Sequence, residues 1–259
     1  MKPFIVADDF GLCEKHDKII IELAKKKKVN AISVLVHDEL SGKRVNEVRK
    51  MRDYLSVGLH LNLTMVLPKI QPRGSIKTLI IKSLLGSLNT REIKKEIFSQ
   101  IREFEKVFGT LPDFIDGHEH VHILPSILEI LSKRVVEEEF SEKFWIRSPV
   151  TETMADLYRE LSNAGLKVLI ITALGSRAKN KLNRLGILTN KNFAGFFSLK
   201  SPSRNFKQKY LHLLTLKKPD MVIMVHPGTS ESPTQNKNHS NEIRAIEATM
   251  LNESGIYLT

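Results

Sequence analysis

The chain has 259 residues, of which 41% are hydrophobic and 27% are charged. This composition is typical of a globular protein and argues against long disordered stretches. No run of about 18 apolar residues is present, so no transmembrane helix is predicted. The start of the chain lacks the pattern of a secretory signal, and we expect a cytoplasmic protein.

The charge and the cysteine content limit the classes of function. The net charge of +11 raises nucleic acid or another polyanion as a partner. The basic residues are spread along the chain, and one Trp and four Tyr offer few rings for base stacking. We expect a solvated basic surface and no nucleic-acid partner, with a polyanion-binding protein as the alternative. The single cysteine, Cys13, excludes an intrachain disulfide and a thiolate metal cluster, and we expect it to be a packing residue.

Short apolar runs alternate with amphipathic segments along the chain. Strands are predicted at 4–7, 31–36, 57–63, 114–116, 144–147, 168–172 and 221–225. Helices are predicted at 14–28, 43–52, 89–108, 125–135, 154–163 and 241–251. Asn89 with Glu92 forms a capping box, and Gly109 is a stop signal for the same helix.

This alternation predicts an α/β fold with a mainly parallel sheet. At this length we expect a single TIM-like (β/α) barrel of about seven strands, and a doubly wound open sheet is the alternative. Residues 1–259 are predicted to be one domain. The region 68–88 lacks a clear strand and is predicted to be an insertion beside the site, and the basic region 175–207 has no clear pattern.

Polar side chains recur where predicted strands end, and they occupy one edge of the predicted sheet. These residues are Asp8, Asp9, His60, Asp116, His118, Arg147 and His226. The carboxyl edge of parallel strands is where α/β folds place their sites. Adjacent carboxylates raise each other's proton affinity unless a cation is near. One Asp of the first pair can therefore ligate a metal ion while the other acts as a base.

The segment DGHEHVH at 116–122 is the strongest single signal of a metal site. In an extended chain Asp116, His118, His120 and His122 would point to one face, with neighbours roughly 6.5 to 7 Å apart. Two neighbours can share one ion but four cannot, so the spacing leaves open which imidazoles bind. Imidazole with carboxylate fits zinc, iron, manganese or nickel, while carboxylate with water suits magnesium.

Four motifs together resemble the YdjC-like carbohydrate deacetylases. They are ADDFG at 7–11, GLHLNLT at 58–64, DGHEHVH at 116–122 and HPG at 226–228. The resemblance implies a (β/α) barrel and the removal of acetyl groups from N-acetylglucosamine units, as in chitooligosaccharides. It also implies an N-acetylated sugar as the substrate and, because family members often pair, a homodimer.

The resemblance also implies roles for individual residues. The metal ligands are expected to be Asp9, His60 and His118, holding one divalent ion, Mg²⁺ or Zn²⁺. Asp8 is expected to be the catalytic base, and His226 is the candidate for the acid that protonates the leaving amine. The residues expected to line or support the pocket are Asp116, His120, His122 and Arg147. A metal-dependent phosphoesterase on a similar barrel is the alternative enzyme.

Overall fold

The computed structural model describes residues 4–40, 42–68, 70–138, 140–216, 218–231, 239–255 and 258. The strands are β1 (Phe4–Phe10), β2 (Ala31–Val34), β3 (Ser56–Leu61), β4 (Phe114–Gly117), β5 (Trp145–Ile146), β6 (Leu188–Thr189), β7 (Asn192–Ala194) and β8 (Met221–Val225). The helices are α1 (Glu14–Lys25), α2 (Gly42–Arg49), α3 (Ile76–Leu84), α4 (Thr90–Phe108), α5 (Pro125–Glu137), α6 (Met154–Ala164), α7 (Lys167–Arg184), α8 (Phe206–Thr215) and α9 (Asn241–Glu253), and a 3₁₀ turn spans His118–Ile123. None of the helices in these ranges is long and apolar enough to cross a membrane.

The strands form one parallel sheet in the order β6-β5-β4-β3-β2-β1-β8-β7. This sequential order is that of a (β/α) barrel. No ladder joins β6 to β7 within the described residues, yet only Asn190 and Lys191 separate them. The segment 188–194 thus pairs with β5 at one end and with β8 at the other. The predicted barrel-like fold of about seven strands is confirmed, as a curled sheet with one broken strand.

The helix predicted after residue 89 shows how local sequence sets an element. The Asn89 side chain accepts a hydrogen bond from the Glu92 backbone N–H at 3.3 Å, which caps the helix. Gly109 ends the helix in a left-handed conformation with φ of 77°. The residues of the buried face are Ile93, Ile97, Gln100, Ile101, Phe104 and Phe108. This face packs α4 against the sheet core.

Alternation along the strands places polar residues directly above an apolar interior. Val6, Phe114 and Val222 belong to the smaller of two buried apolar clusters. Residues two positions further along a strand share the same face, so the side chains of Asp8 and Asp116 follow at the carboxyl edge. The barrel interior thus forms the floor of the predicted site.

The predicted strand at 168–172 is wrong. These residues lie in α7, which runs from Lys167 to Arg184. A short apolar run does not distinguish a buried strand from part of a helix. Here Leu169 and Ile170 are exposed while Val168 is buried, which is a helical pattern. The sixth strand position is filled instead by 188–194, inside the region 175–207 that had no clear sequence pattern.

Candidate active site

The two carboxylates near the end of β1 lie together because the backbone leaves regular strand geometry there. The register of β1 against β2 shifts between Ala7 and Phe10, and Asp9 has a left-handed backbone with φ of 65°. Successive residues of a regular strand point to opposite faces. With this irregularity, Asp8 and Asp9 line one cavity, and each is only 1% exposed.

Asp8 is held by a buried arginine just after β5. Arg147 donates two hydrogen bonds of 2.7 Å, one to each carboxylate oxygen of Asp8. The same guanidinium lies 2.5 Å from Asp116 Oδ2. Burial raises the pKa of Asp8, and Arg147 offsets this only in part. Asp8 is therefore a stronger proton acceptor than an exposed carboxylate, in an orientation fixed by the arginine.

Asp9 lies between two imidazoles. Its Oδ1 is 3.3 Å from His60 Nε2 and 3.3 Å from His118 Nδ1, and makes no hydrogen bond of good geometry with the described residues. Its Oδ2 lies 2.5 Å from an Arg244 nitrogen. Burial alone would raise the pKa of Asp9, but Arg244 and the imidazoles outweigh it and hold the pKa well below its usual range. Asp9 thus presents an ionised oxygen to two imidazole nitrogens.

Asp116 orients His60 from the other side of the ring. His60 Nδ1 is 2.6 Å from Asp116 Oδ1, and Ser33 Oγ donates to the same oxygen at 2.5 Å. Against the effect of burial, Asp116 and Asp8 raise the pKa of His60 to about 10. A carboxylate on one ring nitrogen leaves the other nitrogen directed at Asp9. Metal-bound histidines are commonly supported by a carboxylate in this way.

These residues fit a divalent metal ion. Ligand atoms of Asp9, His60 and His118 lie within 4.8 Å of one another. Imidazole with carboxylate is a donor set that zinc, iron, manganese and nickel use. Two other groups meet the same spacing, Asp9 with His226 and His239, and Asp8 with His60 and Asp116. Each of the three carboxylates has an arginine beside it, but Asp9 Oδ1 faces the His60 and His118 nitrogens. Asp9 also belongs to two of the three groups, so an ion fits best at Asp9, with either pair of imidazoles.

The histidine-rich segment after β4 forms a turn and does not continue as a strand. β4 ends at Gly117, and within the following 3₁₀ turn Glu119 has φ of 52° and His120 has φ of 59°. Such left-handed backbone is uncommon outside glycine and is concentrated at functional sites. The chain is therefore not extended from Asp116 to His122, and the four residues do not share the one face that an extended chain would give them.

The turn sends its three histidines to different places. His118 reaches Asp9, as described above. The His120 ring packs edge-on against Phe196, with ring centroids 5.5 Å apart, and it lines the cavity. His122 is fully buried with its Nε2 2.9 Å from the Arg147 carbonyl oxygen. Only His118 therefore joins the candidate metal ligands, and His122 supports the segment that carries Arg147.

His226 follows β8 and is buried against the C-terminal helix. Its backbone N–H donates to Glu247 Oε2 at 2.5 Å. Its ring lies edge-on to the ring of His239, with centroids 4.7 Å apart. Burial lowers the pKa of His226 to about 3, so the ring is neutral at pH 7 before any reaction. Both rings line the same cavity as Asp8 and Asp9.

Three residues of this region were not predicted from the sequence. His239 lies in no strand-end motif of the sequence, but it is only 5% exposed and borders the cavity. Arg244 and Glu247 come from α9 and are each 1% exposed. The available signal was their helical spacing with the buried Leu251, since charged residues on an apolar helix face are unusual. Motifs at strand ends could not reveal them.

The cavity around these residues has a volume of about 580 Å³. Its floor carries Asp8, Asp9, His60, His118 and His226. Its walls come from α3, α7 and the segment 196–200, and they are mainly apolar. The region 68–88 contributes α3 to this wall, beside the site. A cavity of this size, with a few convergent polar groups, is typical of a small-molecule site.

Comparisons with known proteins identify relatives of the chain. A carbohydrate deacetylase from Xenopus laevis is 30% identical over 151 residues, which are 53% of this chain and 48% of that protein. A chitooligosaccharide deacetylase from Yersinia enterocolitica is 33% identical over 133 residues, 48% of this chain and 52% of that protein. The matches thus span about half the length of these curated relatives.

A solved structure and a family model cover nearly all of the chain. The structure, from Enterococcus faecalis V583, is of a protein named for a proposed cellobiose-phosphate cleavage activity. It is 18% identical, with a TM-score of 0.62 over 96% of this chain and 90% of that chain, which shows a shared fold. The model described as YdjC-like protein matches residues 4–256. The chain therefore belongs to the YdjC-like protein family.

Proposed function

We propose that this protein is a metal-dependent hydrolase that removes acetyl groups from N-acetylated sugars. The observation that carries the proposal is the buried Asp9 Oδ1, which faces two imidazole nitrogens and has the Asp8 carboxylate in the same cavity. The names of the relatives, carbohydrate deacetylase and chitooligosaccharide deacetylase, support the choice of an acetylated sugar.

In this proposal Asp9, His60 and His118 hold one divalent ion. When bound there, the ion would polarise the amide carbonyl and lower the pKa of a water molecule. The protein supplies the orientation of the ligands. Asp116 fixes the His60 ring, and Arg244 keeps Asp9 ionised.

Asp8 is proposed as the general base. The attack of water on the amide carbon requires that the water lose a proton, and a carboxylate that lines the cavity, as Asp8 does, can accept it. Its raised pKa makes it suited to hold that proton, and the two hydrogen bonds from Arg147 keep its carboxylate in place. Arg147 thus acts by positioning Asp8.

His226 is proposed as the group that protonates the leaving amine. The C–N bond of the acetamide breaks as the sugar nitrogen gains a proton, which yields acetate and a free amino sugar. Because burial lowers its pKa to about 3, His226 is neutral at the start and has to receive a proton during the reaction. The proton taken up by Asp8 is the one available for this purpose.

Acetate release from N-acetylated sugars tests the proposal. The purified protein is stripped with a chelator and then reloaded with Mg²⁺, Zn²⁺, Mn²⁺ or Ni²⁺ before assay against N,N′-diacetylchitobiose and related sugars. We expect release of one acetate per turnover that depends on added metal. Full activity in the stripped protein, or no acetate from any sugar with any metal, would contradict the proposal.

A further inference from the structure

The cavity is bordered by a helix whose outward face is apolar. In α3, Ile76 and Ile80 line the cavity. The adjoining face of the same helix carries Ile81, Leu84 and Leu85, which are 57%, 55% and 75% exposed. Large apolar side chains that lie together on an exposed helix face commonly mark an interaction surface. Among the described residues nothing covers this face.

A second helix of the wall repeats the pattern. In α7, Ile171 and Leu174 line the cavity. Leu166, Leu169 and Ile170 lie at spacings of three and four and are 77%, 44% and 55% exposed. Ile170 also lines the cavity, so the apolar lining continues onto the outer surface. We call the exposed apolar side chains of the two helices and of their cap residues Leu85 and Leu166 the apolar rim. They are Ile81, Leu84, Leu85, Leu166, Leu169 and Ile170.

Positive charge accompanies the apolar rim. Lys77, Lys167 and Lys200 line the same cavity, and ion pairs between described residues engage none of them. Neither α3 nor α7 contains an acidic residue. Basic residues occur along the whole chain, but the segment 161–219 holds 12 Lys and Arg and no Asp or Glu, so the net positive charge is concentrated there through the absence of acidic residues. Lys77, Lys167 and Lys200 thus add positive charge to the apolar wall of the cavity, where Glu119 is the acidic side chain outside the floor among the described residues.

This combination fits a lipid surface better than a protein partner. Protein interfaces are enriched in aromatic residues and arginine and are depleted of lysine. The apolar rim consists of leucine and isoleucine only, and the basic residues of the cavity wall, Lys77, Lys167 and Lys200, are all lysines. Aliphatic side chains next to lysines are the composition of segments that lie on anionic membranes. The observations thus select an anionic bilayer as the occupant of this face.

We propose that the apolar rim docks on an anionic lipid surface, and that the substrate is an N-acetylated sugar carried on an aliphatic lipid. This inference rests on the proposed deacetylase function and narrows its substrate class. The acetamide would enter the polar floor beside Asp8 and Asp9. The lipid would follow the apolar wall, formed in part by Ile76, Ile80 and Ile171, out to the apolar rim.

Binding to vesicles tests the docking surface without any assay of activity. The full chain is sedimented with phosphatidylcholine vesicles that contain or lack phosphatidylglycerol. We expect binding to the anionic vesicles, and roughly 10-fold weaker binding for each of Leu85→Ser and Leu166→Ser, from the lost burial of one leucine. Val136→Ser is the matched control, because Val136 is 62% exposed at the far end of α5 from the cavity and should bind like the unchanged protein.

The proposed docking surface would be overturned if the unchanged protein did not bind anionic vesicles, or if all variants bound them equally. It would also be overturned if gel filtration showed a dimer that Leu85→Ser and Leu166→Ser dissociate. The last result would mean that a second copy of the chain covers the apolar rim. Thermal unfolding midpoints serve as the control that each variant is folded.

A comparison of two substrates separates this inference from the proposed function. The metal-loaded protein is assayed with an N-acetylglucosaminyl lipid in anionic vesicles and with N,N′-diacetylchitobiose in solution. We expect kcat/KM to be at least 10-fold higher for the lipid-linked sugar, and Leu85→Ser and Leu166→Ser to lower that ratio. Hydrolysis of the soluble sugar with no preference for the lipid-linked one would overturn the inference and leave the deacetylase function standing. No acetate from either substrate would contradict both.

Discussion

Replacement of Asp8 by asparagine separates catalysis from metal binding. Asn keeps the size of the side chain but cannot serve as the proton acceptor. Loss of a general base lowers kcat by about 100- to 10,000-fold, which is about 3 to 5 kcal/mol in the barrier. The metal content should stay at that of the unchanged protein, because Asp9, His60 and His118 are intact. The measurements are kcat at saturating metal and bound metal by atomic emission.

The contact with Arg147 sets the cost of Asp8→Asn in stability. Asp8 accepts two 2.7 Å hydrogen bonds from Arg147, and an asparagine can accept only one of them. The arginine keeps its ion pair with Asp116. One lost hydrogen bond at a buried charge lowers the free energy of unfolding by about 1 to 3 kcal/mol. Urea unfolding at pH 7 measures this, and the assay temperature must lie well below the new midpoint.

Asp116→Asn is the matched control for Asp8→Asn. Both carboxylates contact Arg147, but Asp116 also orients the His60 ring. We therefore expect metal affinity about 10- to 100-fold weaker for Asp116→Asn, with kcat largely restored at saturating metal. If both variants lose kcat equally at saturating metal, or if Asp8→Asn loses the metal, the assignment of Asp8 as the base is refuted.

Three further substitutions test the ligands, the barrel interior and one ion pair. His118→Ala removes a proposed ligand and should leave the purified protein with background metal; full metal content would exclude His118 as a ligand. Gly58→Ala should lower the free energy of unfolding by about 1 to 3 kcal/mol, because the added Cβ would lie 2.4 Å from the Phe114 ring; unchanged urea unfolding would contradict this packing. Despite burial, hydrogen bonds that include Lys218 hold the pKa of Asp156 below its usual range. The ion pair of Asp156 with Lys218 therefore stabilises the folded protein above about pH 4. Asp156→Asn should lower the free energy of unfolding by about 1 kcal/mol at pH 7 and by progressively less as the pH falls to 3. A loss of stability that does not change with pH would refute the assignment of this effect to the ion pair.

Local sequence was sufficient for most of the elements and for the location of the site. Buried strands such as Met221–Val225 are short apolar runs, and α4 carries its own cap and stop residues. Polar residues that follow such strands reach one edge of a parallel sheet, which is a property of the fold class. That edge predicts one cluster of strand-end residues, but only the resemblance to the YdjC-like deacetylases selected Asp9, His60 and His118 from it. Ligand atoms of these three residues lie within 4.8 Å of one another.

Only the tertiary structure decided the details that depend on residues distant in sequence. Residues 168–172 are helical because α7 packs one side on the barrel and leaves Leu169 and Ile170 exposed. A short apolar run has the same hydrophobicity whether it forms a helix or a buried strand, so the sequence did not distinguish the two. The turn at His118–Ile123 has left-handed residues that no local pattern requires. Arg244 reaches Asp9 across 235 positions of the chain. The spacing of apolar residues along the sequence indicates the helix or strand to which a residue belongs. Hydrogen bonds and charge neutralisation in a buried site depend instead on which helices and strands the fold brings together.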